Sequence, residues 1–510
     1  MSLLQSEFAT VLGAIETTFG VQAVAGFMQH QPNPGGIQDF YAQLVKIARS
    51  PLSKNLMDEK GSVVDLNAMP KLVQDLNKDL LDRYSESAFR SAAKFPGGTG
   101  VGRWVKGTLV PAPNVTGVTA TGYTVSSGGA LPAQVLVNAR GFTNAANNGL
   151  KVVTVGSVAA EVKAAGLVVE ASPPEGASLE VVGFQGTSGD LGIDATGRIT
   201  STTMNFTTLG IQPGSFGWLG GGTAAAPGAL GFGAGVSTNR GFFRFNTVAA
   251  NLITPDRKTQ AWTTDAGAAK TIQVFFGPWW RNVAGDHTDY RRSSSTLELM
   301  MPGLAAGGIT AYVYALGCSL GLFELSAPLT EKVIATCGFV GTNVTDPTTV
   351  RTAGAVSAIT PQQSAAFTTA KQNRRIRVSN ASDELVILND IQSWNLSISN
   401  NITPYKKQGV EGAAEMIFGK FQIGLTLDGA LGQTDTWQAI RDNRTCSFDA
   451  ALTNSDGCVL YDVPALTLEG GAPSFAAQDV ARFSTTAKTF RDPTWGFVGA
   501  QTLFPYLPAD

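Results

Sequence analysis

Between Ile391 and Asp428 apolar and polar residues alternate in two runs joined by a long polar connection. In the first run Trp394, Leu396 and Ile398 share one side, and Ser393, Asn395, Ser397 and Ser399 share the other. In the second, Phe421, Ile423, Leu425 and Leu427 oppose Lys420, Gln422, Gly424, Thr426 and Asp428. Successive side chains of a strand point to opposite faces, so this pattern predicts two strands with one buried and one wet face. The wet face is uniformly small and rich in hydroxyls, which is what a hydrophilic conduit requires.

The rest of the chain agrees with a β-rich protein. Its 510 residues are enough for several domains. Charged residues make up 15%, against about 25% in ordinary soluble domains. With 58 glycines, this suggests strands largely covered by other copies of the chain. The 37 basic and 39 acidic residues leave a formal charge of -2, and no basic surface for gripping phosphates is visible. Met1 to Glu7 lacks a basic start and an apolar core, so no secretory leader is expected. The uncharged stretch from Pro302 to Phe323 is interrupted by five glycines and reads as a strand covered on both faces rather than a membrane span. Cys318 and Cys337 flank Pro328, and Cys446 and Cys458 flank Thr453 to Gly457. Either pair would face across a hairpin, as free thiols in a reducing compartment.

The first hundred residues read as the most helical. Leu3, Leu4, Phe8, Val11, Leu12 and Ile15 recur at helical spacing, and Leu72, Leu76, Leu80 and Tyr84 form a stripe after Pro70. An internal repeat follows. Thr116-Gly-Val-Thr119, Asn147 to Val155 and Glu175 to Val182 recur in order as Thr196 to Thr200, Asn239 to Asn246 and Ala266 to Val274. Gly149 and Gly241 occupy equivalent turns that call for positive φ. Two copies are too few for a solenoid, which needs about three, so the repeat reads as two modules of about six strands, 113–188 and 189–277. These interrupt an antiparallel core formed by 1–112 and 278–510, whose later strands lie around Thr310 to Leu325, Lys332 to Val340, Thr445 to Ala451 and Val459 to Leu468.

Catalytic signatures are missing. Neither His30 nor His287 sits in a zinc, nucleophile-elbow or phosphate-loop motif. Asp286, His287 and Asp289 lack the further ligand that a metal site needs. Arg374, Arg375 and Arg377, like Arg291 and Arg292, read as short basic runs in surface or interface salt bridges, without an aromatic platform for bases. Trp279 and Trp280 read as packing between module and core, with sugar stacking as the alternative. No catalytic, cofactor or metal residue is assigned, and no cofactor is expected.

The connection Asn400-Asn-Ile-Thr-Pro-Tyr-Lys-Lys-Gln-Gly-Val-Glu-Gly-Ala-Ala-Glu415 resembles the matching region of the tail tube proteins of long-tailed bacteriophages. Further stretches similar to that family are Ser50 to Asn55, Lys60 to Asp65, Gly141 to Gly149, Ser293 to Glu298, Gly317 to Gly341, Asp442 to Thr445, Asp456 to Pro464 and Phe490 to Pro493. The resemblance covers most of the chain, although two modules and a helical start depart from the simplest family pattern. It implies a mainly β fold: an antiparallel β-sandwich core with inserted modules, in hexameric rings whose inner strands close into a barrel and stack into a tube. Ser393, Asn395, Ser397, Ser399, Gln422, Thr426 and Asp428 would then line the lumen, with Lys420 a basic exception. Pro51, Lys54, Asp58 and Lys60 in one loop, and Tyr405, Lys406 and Glu411 in the other, would touch the next ring. The modules would decorate the exterior. Implied partners are further copies of the chain, a tape measure protein, tail terminator and tail-tip proteins, and double-stranded DNA that passes without specific binding. The setting would be the virion tail, assembled in the host cytoplasm without membrane insertion. The competing class is a β-rich adhesin or glycan-binding protein using Trp279, Trp280 and the repeats; an enzyme ranks third.

Overall fold

The computed structural model describes residues 9–47, 60–98, 101–107, 113–222, 239–268, 270–305, 308–356, 364–370, 373–382, 384, 386–388, 390–430, 434–471, 473–474 and 481–508. Every strand pairing among them is antiparallel, and the chain is mainly β. An 18-stranded sheet takes its strands from 10–75 and 279–504, and a ten-stranded sheet from 103–275.

Six strands of the larger sheet matter most here: β1 (Lys71–Asp75), β2 (Ile309–Ala327), β3 (Ile334–Val340), β4 (Ile391–Ser399), β5 (Gln422–Ala430) and β6 (Arg482–Thr489). They lie in the order β1-β3-β2-β4-β5-β6, with Pro32–Gln38 beside β1. Their apolar face is continuous. Leu72, Phe323, Leu325, Ala335, Cys337, Leu396, Ile398, Ile423, Leu425 and Leu427 are buried in one cluster with Phe448, Tyr461 and Leu503 from strands behind. Trp394 meets Phe448 at 5.9 Å and Tyr461 at 6.5 Å between ring centroids. Trp394→Ala at such a site typically costs about 3–5 kcal/mol.

The start of the chain corrects the helical reading. Thr10–Ile15 is a strand paired with Ser295–Ala305, and residues 1–8 of that expected helix lie outside the described residues. The second expected helix is half strand: Lys71–Asp75 pairs with β3, and only Lys78–Phe89 (α1) is helical. A spacing of four puts Leu72 and Leu76 on one face in a strand as well as in a helix, so the stripe alone did not separate the two. Asn77 marks the switch. Its side chain accepts from the Leu80 amide at 2.9 Å, and Arg90 ends the helix in the left-handed region at φ 54°.

The two repeats join in one sheet. Val135–Arg140 lies between Gly149–Val152 and Ser178–Gln185, and Phe216–Gly222 lies between Gly241–Ala249 and Thr271–Phe275. The third strands of the two copies pair with each other, Gln185 opposite Gln273, whose amides bond at 3.1 Å. Gly149 and Gly241 both open strands at positive φ, 90° and 109°. Arg103–Val105, from the segment before the repeats, also pairs with Ser178–Gln185. The second repeat also reads as carrying an extra Gly/Ala-rich insertion around Gln212 to Gly235; its Phe216–Gly222 part is a strand, and 223–235 lie outside the described residues.

Two buried ionic clusters tie repeats to core. Lys78 on α1 bonds Asp82 at 2.9 Å and Glu180 at 3.3 Å, while Arg103 reaches Asp82 at 3.1 Å and Glu180 at 3.0 Å. Removing one partner leaves buried charge undercompensated. Lys78→Met is therefore expected to cost about 2–3 kcal/mol in chemical unfolding, and an unchanged unfolding curve contradicts this account.

The second cluster surrounds Asp449, which Arg375 and Arg377 both engage; Arg257 Nη1 lies 3.8 Å away. The salt bridges expected of Arg375 and Arg377 are present, but buried inside the chain rather than at its surface. The cysteine pairings are also corrected. Cys337 lies opposite Phe323 and Cys458 opposite Thr453, so neither pair faces across its hairpin; all four thiols are free and buried. No helix among the described residues is long and apolar enough to cross a membrane.

Candidate functional site

The other face of the six strands is polar. The register aligns rows across the sheet: Val73, Thr336, Glu324, Ser397, Gly424 and Lys488 in one, and Asp75, Ile334, Ser326, Asn395, Thr426 and Thr486 in the next. Ser393, Asp428 and Ser484 form a third row, and Ser399 and Gln422 stand opposite each other. The eight residues singled out in the sequence all carry side chains outside the apolar cluster. Ser393, Asn395, Ser397, Ser399, Thr426 and Asp428 are half-buried, and Lys420 and Gln422 exposed.

Lateral hydrogen bonds hold this face together. Ser393 donates to Asp428 Oδ2 at 2.9 Å, and Asn395 Nδ2 donates to Glu324 Oε1 at 2.9 Å. Lys71, Lys420, Arg482 and Lys488 stand among Asp75, Glu324 and Asp428 on this face, and Asp75 pairs with Lys332 at 2.6 Å. Sequence reasoning missed the contributions of β1, β2, β3 and β6. In β6 the inward positions are Phe483, Thr485 and Ala487, a contrast with Ser484 and Thr486 too weak to stand out as alternation. In β2 the signal was present, Phe323, Leu325 and Ala327 against Glu324 and Ser326, but it follows a middle stretch, Val313 to Leu320, that is mostly buried on both sides.

The connection between β4 and β5 is itself a bent hairpin, not a loop. Ile402–Tyr405 pairs with Glu415–Phe418, Tyr405 opposite Glu415. The bend is fixed by Asn400, 1% exposed, whose Nδ2 donates to the carbonyls of Leu320 at 2.9 Å and Ser87 at 3.1 Å. Tyr405, Lys406 and Glu411 are exposed at its outer end.

The early loop, whose residues 49–59 lie outside the described residues, leads into a second strand pair, Ala42–Ile47 with Ser62–Ala68. Its base is anchored, Ala68 pairing with Gly341. Its outer part shows Leu44, Val45, Ile47, Val63 and Val64 to solvent, Ile47 at 62%. Lys60 is exposed at its edge, while Pro51, Lys54 and Asp58 lie outside the described residues. The two hairpins meet. Lys406 Nζ pairs with Asp65 and donates to Asn67 Oδ1 at 2.8 Å and the Leu66 carbonyl at 3.1 Å. Hydrogen bonding to Lys406 holds the Asp65 carboxyl below its usual range.

Elsewhere the candidate chemistry disperses. Asp289 pairs with Lys94 at 2.6 Å, and among the described residues no three His, Cys, Asp or Glu side chains group as metal ligands. His30 is buried against Tyr84, 3.1 Å from its hydroxyl; burial, then the Arg83 charge, push its pKa down. Trp279 and Trp280 are each 3% exposed, Trp279 packed on Phe497 and Trp280 in the main cluster, so neither presents a face for a sugar. No protein-family model matches the sequence, and no curated protein matches it.

Proposed function

We propose that this chain is a structural subunit of a bacteriophage tail tube, assembling as stacked hexameric rings that conduct DNA. The observation that carries this reading is the polar face spread over six strands and backed throughout by an apolar one. Large exposed apolar patches mark interaction surfaces; this face instead carries mainly small hydroxylated and charged residues. In the assembly, β1 to β6 and the strands behind Trp394 are the two leaves of a β-sandwich. Six copies set edge to edge close the polar-faced leaf into a barrel, which removes the open sheet edges. The two hairpins bonded through Lys406 form one outer surface, suited to contact with the next ring. The ten-stranded sheet lies outside the tube, since a duplex-wide lumen has no room for it.

A thiol placed on the polar face tests the lumen assignment against low background, because the four native cysteines are buried. In Thr426→Cys, isolated subunits are expected to react with a bulky polyethylene glycol maleimide, and assembled subunits to be protected. Equal labelling in both states contradicts a lumenal face.

A further inference from the structure

An open cavity of about 430 Å³ lies where the strand Val135–Arg140 of the first repeat meets the hairpin turn between Cys446–Asn454 and Gly457–Glu469. Small-molecule pockets typically span about 300–1,000 Å³, so the space suits one compact ligand. Its walls include Asn138, Arg140 and Asn148 from the repeat, and Ser455, Asp456 and Tyr506 from the core.

Asn138 is the informative wall residue. It is 3% exposed, and its Nδ2 donates to no group of the protein. That nitrogen is closed to solvent and a buried donor without a partner is costly, so a ligand oxygen gains a hydrogen bond there once the amide turns to meet it. Arg140 is already committed. Its Nη2 donates to the carbonyls of Pro505 at 2.9 Å and Asp456 at 3.2 Å, and Nη1 lies 3.6 Å from Asp456 Oδ1. With its charge answered by Asp456, the wall offers no spare cation to select a phosphate or carboxylate. Asp456 accepts from the Ala365 amide through Oδ2 at 2.7 Å and keeps acceptor capacity at Oδ1 for a hydroxyl. The Tyr506 ring, 5.6 Å from Phe275 between centroids, supplies an aromatic wall.

An amide, a carboxylate and an aromatic ring around a neutral cavity match a small ring with hydroxyls on its rim and C–H groups on its faces. We propose that this cavity binds one neutral sugar residue of the hexopyranose class. The site lies within a single subunit and does not depend on assembly.

The test uses full-length, unassembled subunits and saturation-transfer NMR with the methyl glycosides of glucose, galactose, mannose and N-acetylglucosamine. At least one is expected to bind saturably, with a Kd of about 1 mM, as a small solvent-facing contact allows. Ser455→Trp, at an exposed turn position on the rim, is expected to weaken that binding at least about tenfold by filling the mouth, and Asn138→Leu to weaken it by about the same factor. Circular dichroism establishes that each variant is folded. Saturable binding lost in Ser455→Trp supports the site. Absence of binding by all four glycosides, or binding that survives Ser455→Trp or a folded Asn138→Leu, overturns it. Because assembly is not involved, that failure leaves the tube reading untouched.

Discussion

Asp449→Ala is expected to destabilise the protein by about 3–5 kcal/mol, the cost typical of removing one partner from a buried ion pair. Asp449 is fully buried, and both its oxygens are engaged: Oδ1 pairs with Arg375 Nε, and Oδ2 lies 3.1 Å from Arg375 Nη2 and 3.2 Å from Arg377 Nε. Alanine leaves these guanidiniums buried without their counter-charge. Burial alone raises the Asp449 pKa, but the charges of Arg375 and Arg377 outweigh it and hold the carboxyl at about 2. An unfolded aspartate titrates at about 3.9. The stabilisation is therefore complete above about pH 4 and is lost as pH falls through about 2, the window set by the folded and unfolded values. Chemical unfolding at pH 7 measures the loss, and the same experiment with Asp449→Asn between pH 5 and 2 should show a shallower acid dependence than the parent. A variant within 1 kcal/mol of the parent at pH 7 contradicts the role given to this cluster.

Replacing residues 46–64 by Asn-Gly is expected to abolish assembly while leaving the subunit folded. The graft closes the hairpin between Val45 and Asp65, which are paired, with a two-residue turn that suits antiparallel strands. It keeps Leu66 and Ala68, the buried base of the hairpin, and Asp65, the partner of Lys406. Among the described residues that it removes, Ile47, Val63 and Val64 are exposed and make no core. Exposed apolar strands of this kind are an aggregation hazard unless a partner covers them. The variant should elute as a folded subunit and sediment no faster at high concentration. If it polymerises like the parent, the hairpin is not a ring-to-ring contact.

The polar-faced hairpin was legible in the sequence because large apolar residues, Trp394, Leu396, Ile423 and Leu425, alternate with serine, asparagine, glutamine and threonine. Local contrast of that size survives any choice of partner. The Lys71–Asp75 strand was not legible as a strand, because leucines four apart satisfy both periods and only pairing with Ile334–Val340 decides. Arg375 and Arg377 read as surface or interface salt bridges because their partner, Asp449, lies on another strand and nothing local announces it. The joining of the two repeats through Gln185 and Gln273, and the cavity beside Asn138, arise from segments far apart in the chain. Contacts of that kind are set by tertiary packing, which periodicity does not encode.

Negative-stain electron microscopy of the purified, concentrated chain tests the central claim most directly. The account predicts sixfold rings or hollow tubes built by stacking them, with density for the inserted sheet on the outside. Isolated globules at every concentration, or filaments without a central channel, contradict it.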